Sequence, residues 1–108
     1  MKYQVLFRIE KLELIDKLKN KIKNLQAYMD EKGDELDIEI VFSGPVVNHF
    51  KEDYSDFIHH DWDVALCANA LKGAEMEDIT DRNVRTVKAG IGEIIEKKSQ
   101  GWIEFTIE

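Results

Sequence analysis

The sequence predicts an α/β fold: one mostly parallel, five-stranded sheet with helices on both of its faces. Three observations carry it. Apolar segments of strand period alternate with segments of helix period along the chain, the pattern of parallel strands joined by crossover helices. Val64-Ala65-Leu66-Cys67 is apolar at every position, as in a strand covered on both sides. Turn residues punctuate the segments at Gly33, at Ser43-Gly44-Pro45, at Gly90 and at Gly101.

Taken in order, Lys2 to Ile9 is the first strand, with Tyr3, Val5, Phe7 and Ile9 on one face and Leu6 on the other. Lys11 to Lys32 is the longest helix. Leu12, Ile15, Leu18, Ile22, Leu25 and Met29 recur at spacings of three and four and form one stripe. Gly33 ends it as a left-handed residue. Leu36 to Phe42 is the second strand, in which Asp37 and Glu39 mark a partly wet face. Pro45 suits the first turn of a helix over Val46 to Tyr54, with Val46, Val47, Phe50 and Tyr54 inward. Asp63 to Cys67 is the central strand, followed by a short helix through Leu71. Ala74 to Asn83 has no clear period and reads as a loop. Val84 to Val87 is the fourth strand. Gly90 opens a last helix with Ile91, Ile94 and Ile95 inward. Trp102 to Ile107 is the fifth strand, with Ile103, Phe105 and Ile107 in and Glu104 and Thr106 out. The crossovers are expected to be right-handed.

The totals exclude several classes of function. The 108 residues suit a single domain, 1–108, with one core. A net charge of −7 argues against nucleic acid or an anionic membrane as partner. No apolar run approaches the roughly 20 residues that span a bilayer. The first residues, Met1 to Val5, read as strand and not as a signal peptide. One cysteine makes no internal disulfide, which points to a reducing, cytoplasmic setting.

Chemistry is expected where three strands end on one edge of the sheet: at Phe42-Ser43-Gly44-Pro45, at Cys67-Ala68-Asn69 and at Val87-Lys88-Ala89-Gly90. Helix N-termini facing that edge attract anions. Lys72 and Lys88 add full charges, and the same field favours thiolate over thiol at Cys67. The competing reading of Cys67 is a small buried hydrophobe that ends an apolar strand. Asn69 has an ordinary alternative as a helix cap. Gly90-Ile91-Gly92 lacks the third glycine of a dinucleotide fingerprint and reads as a tight strand-to-helix turn. His49, His59, His60, Asp53 and Asp61 match no recognised zinc spacing, so no metal site is expected. No organic cofactor is expected either.

These residues, taken together, resemble the DsrE/DsrF-like family of intracellular sulfur-relay proteins. The resemblance covers nearly the whole chain. It rests on Val41-Phe42-Ser43-Gly44-Pro45-Val46-Val47, on Cys67-Ala68-Asn69-Ala70-Leu71-Lys72-Gly73, on Val87-Lys88-Ala89-Gly90-Ile91-Gly92-Glu93-Ile94-Ile95 and on Gln100-Gly101-Trp102-Ile103. Lys88 departs from it, standing where many relatives have proline. The resemblance implies a three-layer α/β/α sandwich of the DsrEFH-like kind that assembles into homotrimers or hexamers. It also implies a persulfide carried on Cys67 and passed between donor and acceptor proteins. The expected catalytic residues are Cys67, the nucleophile, and Asn69, which orients its loop, with Gly44, Pro45, Asn48, Lys72, Lys88 and Gly90 binding substrate. A second expectation, of a different class, is a non-enzymatic oligomeric module that binds a small anion or metabolite in the same crevice. For assembly, the cluster Phe50, Tyr54, Phe57, Ile58 and Trp62 is either a subunit interface or a satellite of the core.

Overall fold

Each connection between consecutive strands contains helical turns, so every strand returns to the same end of the sheet and pairs parallel with its neighbours. The computed structural model, which describes residues 1–108, shows this arrangement throughout. Strands β1 (Lys2–Ile9), β2 (Glu35–Phe42), β3 (Trp62–Cys67), β4 (Val84–Val87) and β5 (Ile103–Thr106) form one all-parallel sheet in the order β4-β3-β2-β1-β5.

The first three connections step from β1 across to β4 and pack on one face. They are α1 (Ile15–Lys32), two 3₁₀ segments (Gly44–Lys51 and Ser55–Phe57) and α2 (Ala68–Gly73). The fourth, α3 (Gly90–Ser99), travels back to the far edge and packs on the other face. Connections of one handedness require this change of face when the direction reverses. The result is a three-layer α/β/α sandwich.

The two outer layers are unequal. The larger core lies under α1 and joins Ile15, Leu18 and Ile22 to Val5, Phe7, Ile9, Ile38, Ile40, Phe42, Val64 and Leu66 of the sheet. Gly33 ends α1 at φ 75°, and the Asp34 N–H donates to Met29 O at 2.9 Å, closing the last turn as the sequence implied. The core under α3 is small: Leu6, Val41, Ala65, Val87 and Ile94, with Trp102 alongside.

Three expectations are corrected. The helix placed over Val46 to Tyr54 is a 3₁₀ segment, Gly44–Lys51. The Asn48 side chain donates to Pro45 O at 2.8 Å, and local bonds of this kind compete with α-helix. A spacing of three also puts Val47 and Phe50 in line, and both are buried. Second, Ile91 and Ile95 face solvent, 63% and 62% exposed, and only Ile94 of that trio is buried. Third, Ile103 and Phe105 are exposed although they share the face of Val5 and Phe7, because β5 is an edge strand, where α1 lays the Lys21 side chain over Phe105 and no apolar cover. Of the two readings left open for the aromatic stretch, packing fits these two rings: Phe50 and Phe57 are core residues. Phe42 meets both rings edge-on at 5.0 and 5.1 Å, and Tyr54, Ile58 and Trp62 pack half-buried around them. Phe50 and Phe57 thus belong to the larger core itself.

Candidate functional site at the carboxyl edge of the sheet

Adjacent strands β3 and β4 send their chains to opposite faces, β3 into α2 and β4 into α3. Such a switch point opens a crevice outside the strand ends, where open α/β sheets hold their ligands. The two residues that end these strands, Cys67 and Val87, are partners in register. Cys67 is the free thiol of the chain and is 7% exposed.

Its surroundings follow from register. Phe42 pairs with Leu66, so Ser43, one residue on, stands opposite Cys67. Ser43 is extended, at φ −135° and ψ 157°, and its N–H donates to Ile9 O at 3.1 Å, continuing the ladder. Gly90, the first residue of α3, closes the arrangement from above. A Cβ there would stand 3.3 Å from Cys67 Cβ, 3.4 Å from Val41 Cγ1 and 3.5 Å from Ser43 Cβ. Cys67, Ser43 and Gly90 thus meet over Val41. The need at Gly90 is for space, since its φ is not one that only glycine adopts.

The other expected residues divide into two groups. Gly44 (φ 71°), Pro45 and Asn48 line a groove of about 300 Å³ with Ala70 and Gly73 of α2 and the following Ala74, on the α1 side of the sheet. Asn69, Lys72 and Lys88 are exposed. Asn69 does not cap α2: Cys67 holds the cap position, without a side-chain cap bond, and Asn69 lies inside the helix. The field expected from helix N-termini is also weaker than the sequence suggested. The chain after β2 is 3₁₀ and α2 has only 6 residues, so of the segments that follow β2, β3 and β4 only α3 is a regular helix of any length.

The histidines have structural neighbours. His49 lies 3.1 Å from Asp56 and meets Phe50 and Phe57 edge-on. His59 stacks on Trp62 and its Nδ1 accepts the Asp61 N–H. The largest depression, about 880 Å³ and lined in part by His59, His60 and Trp62, lies by the start of β3, at the opposite end from Cys67. Its size does not make it the better candidate, because it is an open trough between α1 and a loop, with its aromatic and imidazole groups already packed on each other.

A group of acids escaped the sequence reading. Glu39, Asp63 and Glu93 bring carboxylate oxygens within 4.8 Å of one another under α3, a spacing that suits a cation. Arg85 takes that position. Its Nη2 donates to Glu39 at 2.8 Å, to Asp63 at 3.0 Å and to Glu93 at 2.7 Å, and its Nε donates to Asp63 at 3.0 Å. Lys97 approaches Glu39 at 3.5 Å while its ammonium covers the Trp102 ring at 4.5 Å. Glu39 is fully buried. Burial first, and then the neighbouring Glu93, push its carboxyl up to about 8, so it keeps its proton at neutral pH. Glu93, bonded by Glu39 and Arg85, is held below the ordinary glutamate range. Two carboxylates and two cations then balance. The donor set fits an ion pair network that fastens α3 to the sheet, and not a metal.

No protein-family model and no curated protein matches the sequence. Among solved structures, the chain is similar to a protein of unknown function from Methanobacterium thermoautotrophicum. The two are 24% identical, the match covers 96% of this chain and 98% of the other, and the TM-score is 0.78. At that identity the likeness shows a shared fold.

Proposed function

We propose that this protein carries sulfur as a persulfide on Cys67, as some of the DsrE/DsrF-like relay proteins it resembles do. The observation that supports this most is the place of the thiol, which ends β3 at the switch point between α2 and α3. The step is a thiol exchange. The Cys67 thiolate attacks the outer sulfur of a donor persulfide, a Cys67–sulfur bond forms, the donor S–S bond breaks, and its electron pair leaves on the donor thiolate. No metal or redox partner takes part. Near-complete burial suits a carrier, since it shields the bound sulfur from bulk thiols. The exposed Asn69, Lys72 and Lys88 lie on the rim that donor and acceptor proteins would meet. On the same resemblance we propose a homotrimer or hexamer working in a reducing cytoplasm.

Intact-mass spectrometry tests the proposal. After incubation with glutathione persulfide, the wild type gains one sulfur atom, removable by a reducing thiol, and Cys67→Ser gains none. An unmodified wild type, or a gain that persists in Cys67→Ser, contradicts it. The groove lined by Gly44, Pro45, Asn48, Ala70, Gly73 and Ala74 supports a second reading, a non-enzymatic module for a small anion or metabolite. That reading predicts raised thermal stability in phosphate or a small carboxylate at constant ionic strength, unchanged by Cys67→Ser.

A further inference from the structure

The Ser43 hydroxyl oxygen is shut off from solvent and has no hydrogen-bond partner. A buried hydroxyl left in this state destabilises the fold that contains it, so a native protein that keeps one has a use for it. Its position suggests the use. Ser43 extends β2 directly opposite Cys67, on the face where both side chains meet the start of α3. Neighbouring strands run roughly 4.8 Å apart, so the two side chains stand side by side. The wall above them is Gly90, which contributes no side chain, and the floor is Val41, which offers no polar atom. The hydroxyl therefore has no acceptor among the groups of the protein, and a group carried on the adjacent Cys67 is placed to bring one.

We infer that Ser43 Oγ donates a hydrogen bond to the sulfur that Cys67 carries. This rests on the carrier reading above and adds to it the residue that holds the cargo. A second sulfur on Cys67 extends the side chain by one S–S bond, about 2 Å, beside Ser43. The outer sulfur of the persulfide brings an acceptor, often charged, to a donor that otherwise has none. During loading, Ser43 neither gains nor loses a proton. The bond that forms is Cys67 Sγ to the incoming sulfur, the bond that breaks is the donor S–S bond, and the electron pair leaves on the donor thiolate. The sequence alone marked Ser43 only as part of the stop after β2.

The test compares wild type, Ser43→Ala and Ser43→Thr. Each is equilibrated with glutathione persulfide and glutathione at fixed ratios, and the loaded fraction is read by intact mass. Thermal unfolding of the unloaded proteins is measured in parallel. Ser43→Ala is expected to lower the loading constant about tenfold, the worth of a hydrogen bond to a charged acceptor. Its unloaded form unfolds at the same temperature as wild type or higher, because an orphan hydroxyl has been removed. Ser43→Thr restores the loading. A structural role would instead lower the stability of the unloaded Ser43→Ala protein, and that result overturns the inference. So does a Ser43→Ala protein that loads like wild type. In that case the carrier reading stands and only the role of Ser43 falls. A wild type that takes up no sulfur at any ratio removes both.

Discussion

Glu39 is the one charged-type residue fully enclosed by the fold, and the sequence could not reveal it. In Leu36-Asp37-Ile38-Glu39-Ile40 it reads as part of a wet strand face. What covers that face is α3, which begins some fifty residues later, so the burial is a tertiary fact with no local signal. It has a measurable consequence. A carboxyl held near 8 in the fold and at its ordinary 4.5 when unfolded gives the native state the extra proton between those values. Stability therefore falls as pH rises through that window and is flat with respect to this group below it. Glu39→Gln is expected to match the wild type near pH 5 and to exceed it near pH 9, by on the order of 1–3 kcal/mol. Urea unfolding at the two pH values checks this, and equal pH slopes for both proteins contradict it. Cys67, by contrast, was legible. It is the chain's single thiol, and it follows three apolar residues that fix its strand and its end of the sheet.

Of the two longer helices, α3 is the more weakly held. One buried isoleucine and a small apolar cluster hold it, while α1 rests on the larger core. The ion network makes up the difference through Arg85, which ties Glu93 of α3 to Glu39 and Asp63 of the sheet. Arg85→Met leaves the acids facing one another without the guanidinium. A loss of about 2 kcal/mol is expected, below the full cost of breaking a buried pair because Arg85 reaches solvent. Amide exchange in residues 90–99 should rise first, and Cys67 should be alkylated faster, since Gly90 lies against it. Exchange that rises uniformly along the chain contradicts a local role for the network. Element boundaries were legible where one pattern dominated, as in α1 with its stripe and its Gly33 stop. The Gly44–Lys51 segment was not, because Pro45, Val46 and Val47 give the same apolar spacing to a 3₁₀ turn as to a short α-helix. The inward faces of α3 and β5 were also misread. Isoleucine at regular spacing does not say whether a neighbouring layer extends far enough to cover it.

At the scale of the molecule, the parallel, layered α/β class was the most legible feature, because strand and helix periods alternate along the chain, whereas the strand order was not legible. The sequence did not disclose the change of face between α2 and α3, which depends on strand order. That change gives Cys67 its setting. The trimer implied by the resemblance needs apolar surface to bury, and Phe50 and Phe57 do not supply it. Ile91 and Ile95 remain exposed on α3. Sedimentation equilibrium at micromolar concentration is expected to give a trimer for the wild type and a folded monomer for Ile91→Asp with Ile95→Asp. A monomeric wild type contradicts the assembly, and an oligomer indifferent to the double substitution places its interface elsewhere.

The central claim is that Cys67, though nearly buried, takes up sulfur in the folded protein. The most direct measurement is the rate at which wild type acquires one sulfur atom from glutathione persulfide, followed by intact mass under native conditions. It is compared with the rate of global unfolding from the slowest-exchanging amides. Loading many times faster than unfolding, in proportion to donor concentration, is the result this structure predicts. Loading that proceeds no faster than the chain unfolds, whatever the donor concentration, would mean that Cys67 is a core residue of β3 and that the carrier reading is wrong.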